Sequence, residues 1–189
     1  MVNVCGKEVQ SVDEIVAICK ERGDAVRGTY KARYFFGGRY DHNPYHGAAL
    51  ERPMSFMGND PDAIYPWEQI LVAAAQCGGS DYPMLAEYWG IPLQSVAIEL
   101  EAVFDPRGEF SNLVPGFAGI KEQPNCYQSL KWKVTLASTA PKADLEKLNK
   151  RVLSHNMVLN ALRAIPITTT LAIAPPAAVP AQMAGHRHA

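Results

Sequence analysis

The sequence lacks the features that would place it in a bilayer, on a nucleic acid or among disulfide-stapled proteins. In its 189 residues no apolar run reaches the ~18 residues that argue for a transmembrane helix, so no membrane span is expected. Eighteen Lys and Arg against nineteen Asp and Glu leave a net charge of −1, which gives no general attraction to nucleic acid or anionic lipid. The first residues, MVNVCGKEVQSVDE, have no basic segment leading into an apolar core, so no secretory signal is expected. There are only four cysteines, with no C-x-x-C pair and no zinc-like spacing with histidine, so a reducing, cytoplasmic setting is expected. His42 and His46 have the i, i+4 spacing of a metal pair only on a helix, which Asn43-Pro44 opposes; neither metal nor cofactor is expected. No internal repeat is visible.

What is present is a 48% hydrophobic chain, enough for one domain with a core. Its most apolar long segment is PWEQILVAAAQCGGSDYPMLAEYWG, residues 66–90, a helix opened by a proline and carrying Cys77 among small residues. Apolar positions run all round it, as in a helix buried on nearly all sides. Asp81 lies one turn beyond Cys77 on the same face. Pro83 deprives the Gly79 carbonyl of its helical partner, so a bend is expected there.

Around this helix the pattern alternates between helix and strand. Ser11 caps a short amphipathic helix to Arg22, with Glu14 in the capping-box position and Gly23 after it. Residues 28–40 read as a hairpin broken at Gly37-Gly38. Residues 47–65 read as a loop with Met54, Phe56 and Met57, suited to lining a pocket or a subunit contact. VAIELEAVF and LKWKVTLA alternate as half-buried strands, and Glu99 and Glu101 on one suit Lys131 and Lys133 on the other as antiparallel neighbours. A helix over 141–153, a short helix capped by Asn156 and a strand over 167–173 complete the pattern. The expected class is α+β: an N-terminal β-sheet and a C-terminal αββαα-type half around a long buried central helix. Residues 1–27 would be an extension, 28–174 the domain and 175–189 a disordered tail. A helix so apolar would be covered in an intimate homodimer.

With these residues assembled, the chain resembles the OsmC/Ohr family of cysteine-based organic hydroperoxide reductases. The resemblance rests on the helix start (Pro66, Glu68, Ile70, Leu71, Ala73, Ala74, Cys77), on AEYWGIPLQSVAIELEAVFD, on PGFAGI and on HNMVLNALRAIPI. It implies an OsmC-like fold in an intertwined homodimer, with active sites at the subunit interface and Cys77 as the peroxidatic cysteine. It also implies an activating arginine from the N-terminal hairpin, for which Arg39 is the better match and Arg33 the second. A thiolate, not a thiol, is the nucleophile, which is why such a cation is needed.

Three departures accompany the resemblance. Trp67 stands where the family's peroxidases carry a glutamate, and Glu68 fits the neighbouring position. The family's resolving cysteine falls on Asn156-Met157-Val158, so a sulfenic acid at Cys77 would need an external thiol reductant. Asp81 places an anion beside the sulfur, which disfavours a thiolate and suggests a proton carrier or substrate anchor instead. The leading expectation is therefore a single-cysteine, thiol-dependent reductase of organic hydroperoxides. A cysteine-nucleophile hydrolase or lyase, or a non-catalytic small-ligand binder, stands as the alternative. The candidate residues are Cys77, Arg39 and Asp81 for chemistry, with Trp67, Glu68, Tyr82, Met57, Phe56, His155 and Asn156 for a small apolar substrate.

Overall fold

The computed structural model describes residues 2–4, 7–9, 11–37, 66–105, 107–108 and 127–176. In order these are β1 (Val2–Val4), β2 (Lys7–Val9), α1 (Val12–Arg22), β3 (Gly28–Gly37), α2 (Pro66–Tyr88), β4 (Leu93–Phe104), β5 (Tyr127–Ser138), α3 (Lys142–His155), α4 (Met157–Ala161) and β6 (Ile167–Ala174). A mixed α+β architecture results. β3, β4, β5 and β6 form one four-stranded sheet in that order, and β1 with β2 makes a small separate hairpin.

Local chemistry accounts for these elements. Ser11 accepts a hydrogen bond from the Glu14 amide at the start of α1, and Gly23 takes a positive φ of 54° at its end. β3, β4 and β5 pair antiparallel, while β6 pairs parallel to β5. A parallel neighbour needs a crossover of a dozen or more residues, which α3 and α4 provide. The register sets Glu99 opposite Lys133 and Glu101 opposite Lys131, with Nζ–O distances of 3.0 and 2.8 Å, as the charge alternation predicts. The N-terminal sheet expected from sequence is not a separate unit: β3 pairs with β4 in the main sheet. A return arm after Gly37 would lie outside the described residues.

The helix α2 lies on one face of this sheet. Leu71, Ala74, Ala75, Gly78, Gly79, Tyr82 and Ala86 are buried, at spacings of three, four and seven that mark one helical face. Two glycines set how closely it approaches. A Cβ on Gly79 would sit 2.5 Å from Cζ of Tyr34 on β3, and one on Gly78 would sit 2.6 Å from Cζ2 of Trp132 on β5. The aromatic rings occupy the space that side chains at 78 and 79 would need. In the single chain part of the helix surface is left uncovered. Ile70, Met84 and Tyr88 are 41%, 49% and 85% exposed in the single chain. The helix continues through Pro83 to Tyr88.

At the far end of the sheet, the turn after α1 is tied to the end of β4 by a charge cluster in which Asp105 and Arg107 are buried and Asp24 is exposed. Arg107 Nη2 contacts Asp105 at 2.7 Å and Asp24 at 2.6 Å, and Arg27 Nε contacts Asp105 at 3.0 Å. Burial works to raise the Asp105 carboxyl, but the hydrogen bonds from Arg107 and Arg27 outweigh it and hold it below the usual range.

Candidate active site around Cys77

Three elements converge on the Cys77 sulfur. α2 supplies Cys77 and Asp81, one turn apart, and the junction between α3 and α4 supplies Asn156. Asn156 Nδ2 donates to Cys77 Sγ at 3.1 Å and to Asp81 Oδ2 at 2.8 Å. The orientation of that amide is set by secondary structure. Its Oδ1 accepts from the Leu159 amide at 2.7 Å, capping α4, so the NH₂ end must face α2. The Asn156 backbone N–H meanwhile closes α3 on the Val152 carbonyl at 2.8 Å. One residue thus ends a helix, begins the next and presents both side-chain protons to α2, all while 1% exposed.

Cys77 is half-buried. Asp81 is also half-buried, and burial pushes its carboxyl above the usual aspartate range, with the hydrogen bond from Asn156 acting the other way.

The other sequence candidates fall in different places. Tyr82 is wholly buried, its hydroxyl donates to Asn149 Oδ1 at 2.6 Å, and burial raises its phenol well above the usual value. It holds α2 to α3 and has no surface to offer a substrate. Glu68 is half-buried in the first turn of α2. Nine residues from Cys77 place it on the opposite side of the helix, about 180° round. His155 is exposed and bonds Arg151 Nη1 at 2.8 Å and Ser154 Oγ at 2.7 Å, so it is not brought to the sulfur. Trp67 lies in the first turn of α2. Arg39, Phe56, Met57 and Cys126 lie outside the described residues, so the cation expected to face the sulfur does too. Arg33 is settled by strand parity: Tyr34 packs on Gly79, so its neighbour Arg33 points to the far face, exposed and paired in register with Glu99. Cys19 is buried within α1.

Sequence reasoning passed over Asn149. The signal was available, because Asn149 and Asn156 are seven residues apart, two turns on one face of α3, beside the apolar stripe of Leu145, Leu148 and Val152. Among the described residues no group of His, Cys, Asp and Glu is arranged to hold a metal ion.

Among the comparisons with known proteins, one family model matches. The family model described as OsmC-like protein matches residues 58–170, more than half of the chain. No curated protein matches the sequence. Among solved structures, the chain is similar to an OsmC-like protein from Mycoplasma pneumoniae, with 12% identity over 58% of this chain and 73% of that one, at a TM-score of 0.43. It is also similar to a structural-genomics structure, with 15% identity over 77% of this chain and 98% of that one, at a TM-score of 0.49.

Proposed function

The chain belongs to the OsmC-like family, and on that premise we propose that it reduces organic hydroperoxides with one cysteine, Cys77, and an external thiol. The observation that carries this reading is the placement of Asn156 Nδ2 3.1 Å from Cys77 Sγ. That is the position at which a two-cysteine member would present its second sulfur; here an amide donor occupies it.

The chemistry follows from the groups in contact. The Cys77 thiolate attacks the distal oxygen of ROOH, the O–O bond breaks, and the alkoxide needs a proton on departure. Asp81, held above its ordinary range by burial, supplies that proton and ROH leaves. The Asn156 amide holds the sulfur and Asp81 in register, and Arg39 from the N-terminal segment is the expected cation for the thiolate. Cys77 is left as a sulfenic acid. One external thiol converts it to a mixed disulfide with release of water, and a second releases the free Cys77 thiol and a disulfide.

A second copy of the chain covers the exposed apolar residues of α2 and α4, including Ile70, Met84 and Met157. A stable monomer by light scattering refutes that assembly. The activity itself is tested with cumene hydroperoxide and dithiothreitol on wild type and Cys77→Ser, where cysteine-independent turnover or none at all sinks the proposal. The Cys77–Asn156–Asp81 contact also favours a second reading, acyl transfer, in which Cys77 attacks an activated carbonyl and Asp81 handles the proton. An acyl adduct on Cys77 by intact mass, without peroxide reduction, selects that reading.

A further inference from the structure

The Asn156 side chain is engaged at both ends of its amide. Nδ2 donates to Cys77 Sγ at 3.1 Å and to Asp81 Oδ2 at 2.8 Å, while Oδ1 accepts from the Leu159 amide at 2.7 Å. Asn156 is buried, so water does not compete for the nitrogen that faces the sulfur.

A carboxamide nitrogen is a poor nucleophile, because its lone pair is delocalised into the carbonyl, and it attacks only as it loses a proton. The contacts supply what that step needs. Asp81 stands on one of the Nδ2 protons, and burial makes its carboxylate a stronger base than a solvated aspartate. As the proton leaves, negative charge gathers on Oδ1, where the Leu159 N–H already points. The peroxide step proposed above delivers the electrophile to the same nitrogen, since it leaves Cys77 a sulfenic acid and Asp81 ionised.

From this geometry we propose that Asn156 is the resolving group of the site: its side-chain nitrogen condenses with the Cys77 sulfenic acid to form an S–N bond, a sulfenamide. Resting on the reductase reading above, this makes a second sulfur within the chain unnecessary. Nδ2 attacks Sγ as Asp81 takes its proton, the S–O bond breaks, and the departing hydroxide receives that proton from Asp81 and leaves as water. The sulfur stays at the sulfenyl oxidation level, so no further oxidant is consumed. Backbone nitrogens condense with sulfenic acids in the same way; here the nitrogen in contact belongs to a side chain. The external thiol then attacks Sγ, the S–N bond breaks, and the thiol's proton reaches Nδ2 through Asp81, giving a mixed disulfide and the intact amide. A second thiol releases the Cys77 thiol and a symmetrical disulfide, so two thiols supply the two electrons taken by the peroxide. While the S–N bond stands, a second peroxide cannot carry the sulfur on to the irreversible sulfinic acid.

The experiment compares wild type with Cys5→Ala/Cys19→Ala/Cys126→Ala, in which Cys77 has no partner thiol in its own chain. Each is treated with one equivalent of cumene hydroperoxide, and separately with hydrogen peroxide, then acid-quenched, digested and mapped by mass spectrometry without reductant. The expected product lacks two hydrogens, joins the Cys77 peptide to the Asn156 peptide and reverts with dithiothreitol. The joined peptides identify the bond in wild type even if the triple variant does not fold. Asn156→Ser keeps an oxygen to cap α4 but has no side-chain nitrogen. It should stop at one added oxygen, trapped by dimedone, and in excess peroxide should reach the sulfinic acid about tenfold faster than wild type. A sulfenic acid that persists in wild type with turnover intact, or a link from Cys77 to a backbone nitrogen, overturns the S–N bond to Asn156 and leaves the reductase reading standing. The linkage formed with hydrogen peroxide, without turnover of cumene hydroperoxide, keeps the S–N bond and overturns the reductase reading. No oxidation of Cys77 by either peroxide overturns both.

Discussion

Replacing Gly79 with alanine sets two effects of opposite sign against each other. Gly79 lies inside α2, where helix propensity alone favours alanine over glycine by about 1 kcal/mol. The packing argues the other way. The new Cβ would meet Cδ1, Cε1 and Cζ of Tyr34, the last at 2.5 Å, where ordinary carbon contacts are about 3.5–4 Å. The ring has little room to yield, because Tyr34 is 6% exposed on a strand bonded along its length to β4. Overpacking a filled core costs about 1–3 kcal/mol and occasionally more. Three ring atoms in conflict place this case at the upper end, so the net result is a loss of about 2 kcal/mol. For a domain of this size that lowers Tm by about 4–8 °C.

The assay is urea unfolding of wild type, Gly79→Ala and Ala73→Gly, the last on the exposed side of the same helix. Ala73→Gly should lose about 1 kcal/mol from propensity alone. A Tyr34→Leu background should remove most of the penalty at position 79, giving a coupling energy by double-mutant cycle. If Gly79→Ala is as stable as wild type or more so, with m unchanged, the account of how α2 sits on the sheet is refuted. Cys77 would respond as well, since it lies two residues from the point of conflict.

Three further predictions test other parts of the molecule. Asn156→Cys places a second sulfur beside Cys77; mild oxidation should give an intramolecular disulfide, seen as a loss of two mass units, at a cost of about 1 kcal/mol for the lost cap. Failure to form it would contradict the observed contact. Asp81→Asn removes the proton carrier, and peroxide turnover should fall about a hundredfold. Because burial raises the folded-state Asp81 above 3.8, its ionisation weakens the fold as pH rises from that value through the raised one. Wild type should therefore lose Tm relative to Asp81→Asn across that window and not below it. Arg107→Met strands the buried Asp105 carboxylate and should cost about 3–5 kcal/mol by denaturant titration. Since Asp24 and Asp105 both sit below their usual values, the stability that Arg107 supplies is present above 3.8 and lost as pH falls through the depressed values.

Much of the frame was legible because local patterns carry it. The Glu99–Lys133 and Glu101–Lys131 pairs follow from period-two alternation, and the Ser11 and Asn156 caps follow from side chains that satisfy orphan amides at helix starts. Even Arg33 yields to parity once Tyr34 is known to face inward. What covers each side of α2 is not legible in its composition: apolar residues all round a helix do not say which neighbours pack on each face, and within one chain the sheet and α3 leave Ile70, Met84 and Tyr88 exposed. Gly78 and Gly79 stand out in the sequence only as small residues beside Cys77; tertiary packing makes them points of close approach for two aromatic rings from distant strands.

The candidate site divides along the same line. Cys77 and Asp81 share a helix face by virtue of their spacing, so sequence alone determined that they are neighbours, along with the alternation, the caps and the family resemblance. Asn156 enters from a helix junction 79 residues further on, and only the packing of α3 against α2 decided that its amide, turned by the cap on Leu159, meets both the sulfur and the carboxylate. The place of Lys147 has the same origin, because its ammonium lies over the Trp89 ring only through the packing of α3 beside the end of α2. Spacing within one helix or strand is a local property of the chain, whereas contact between helices depends on the whole core that brings them together.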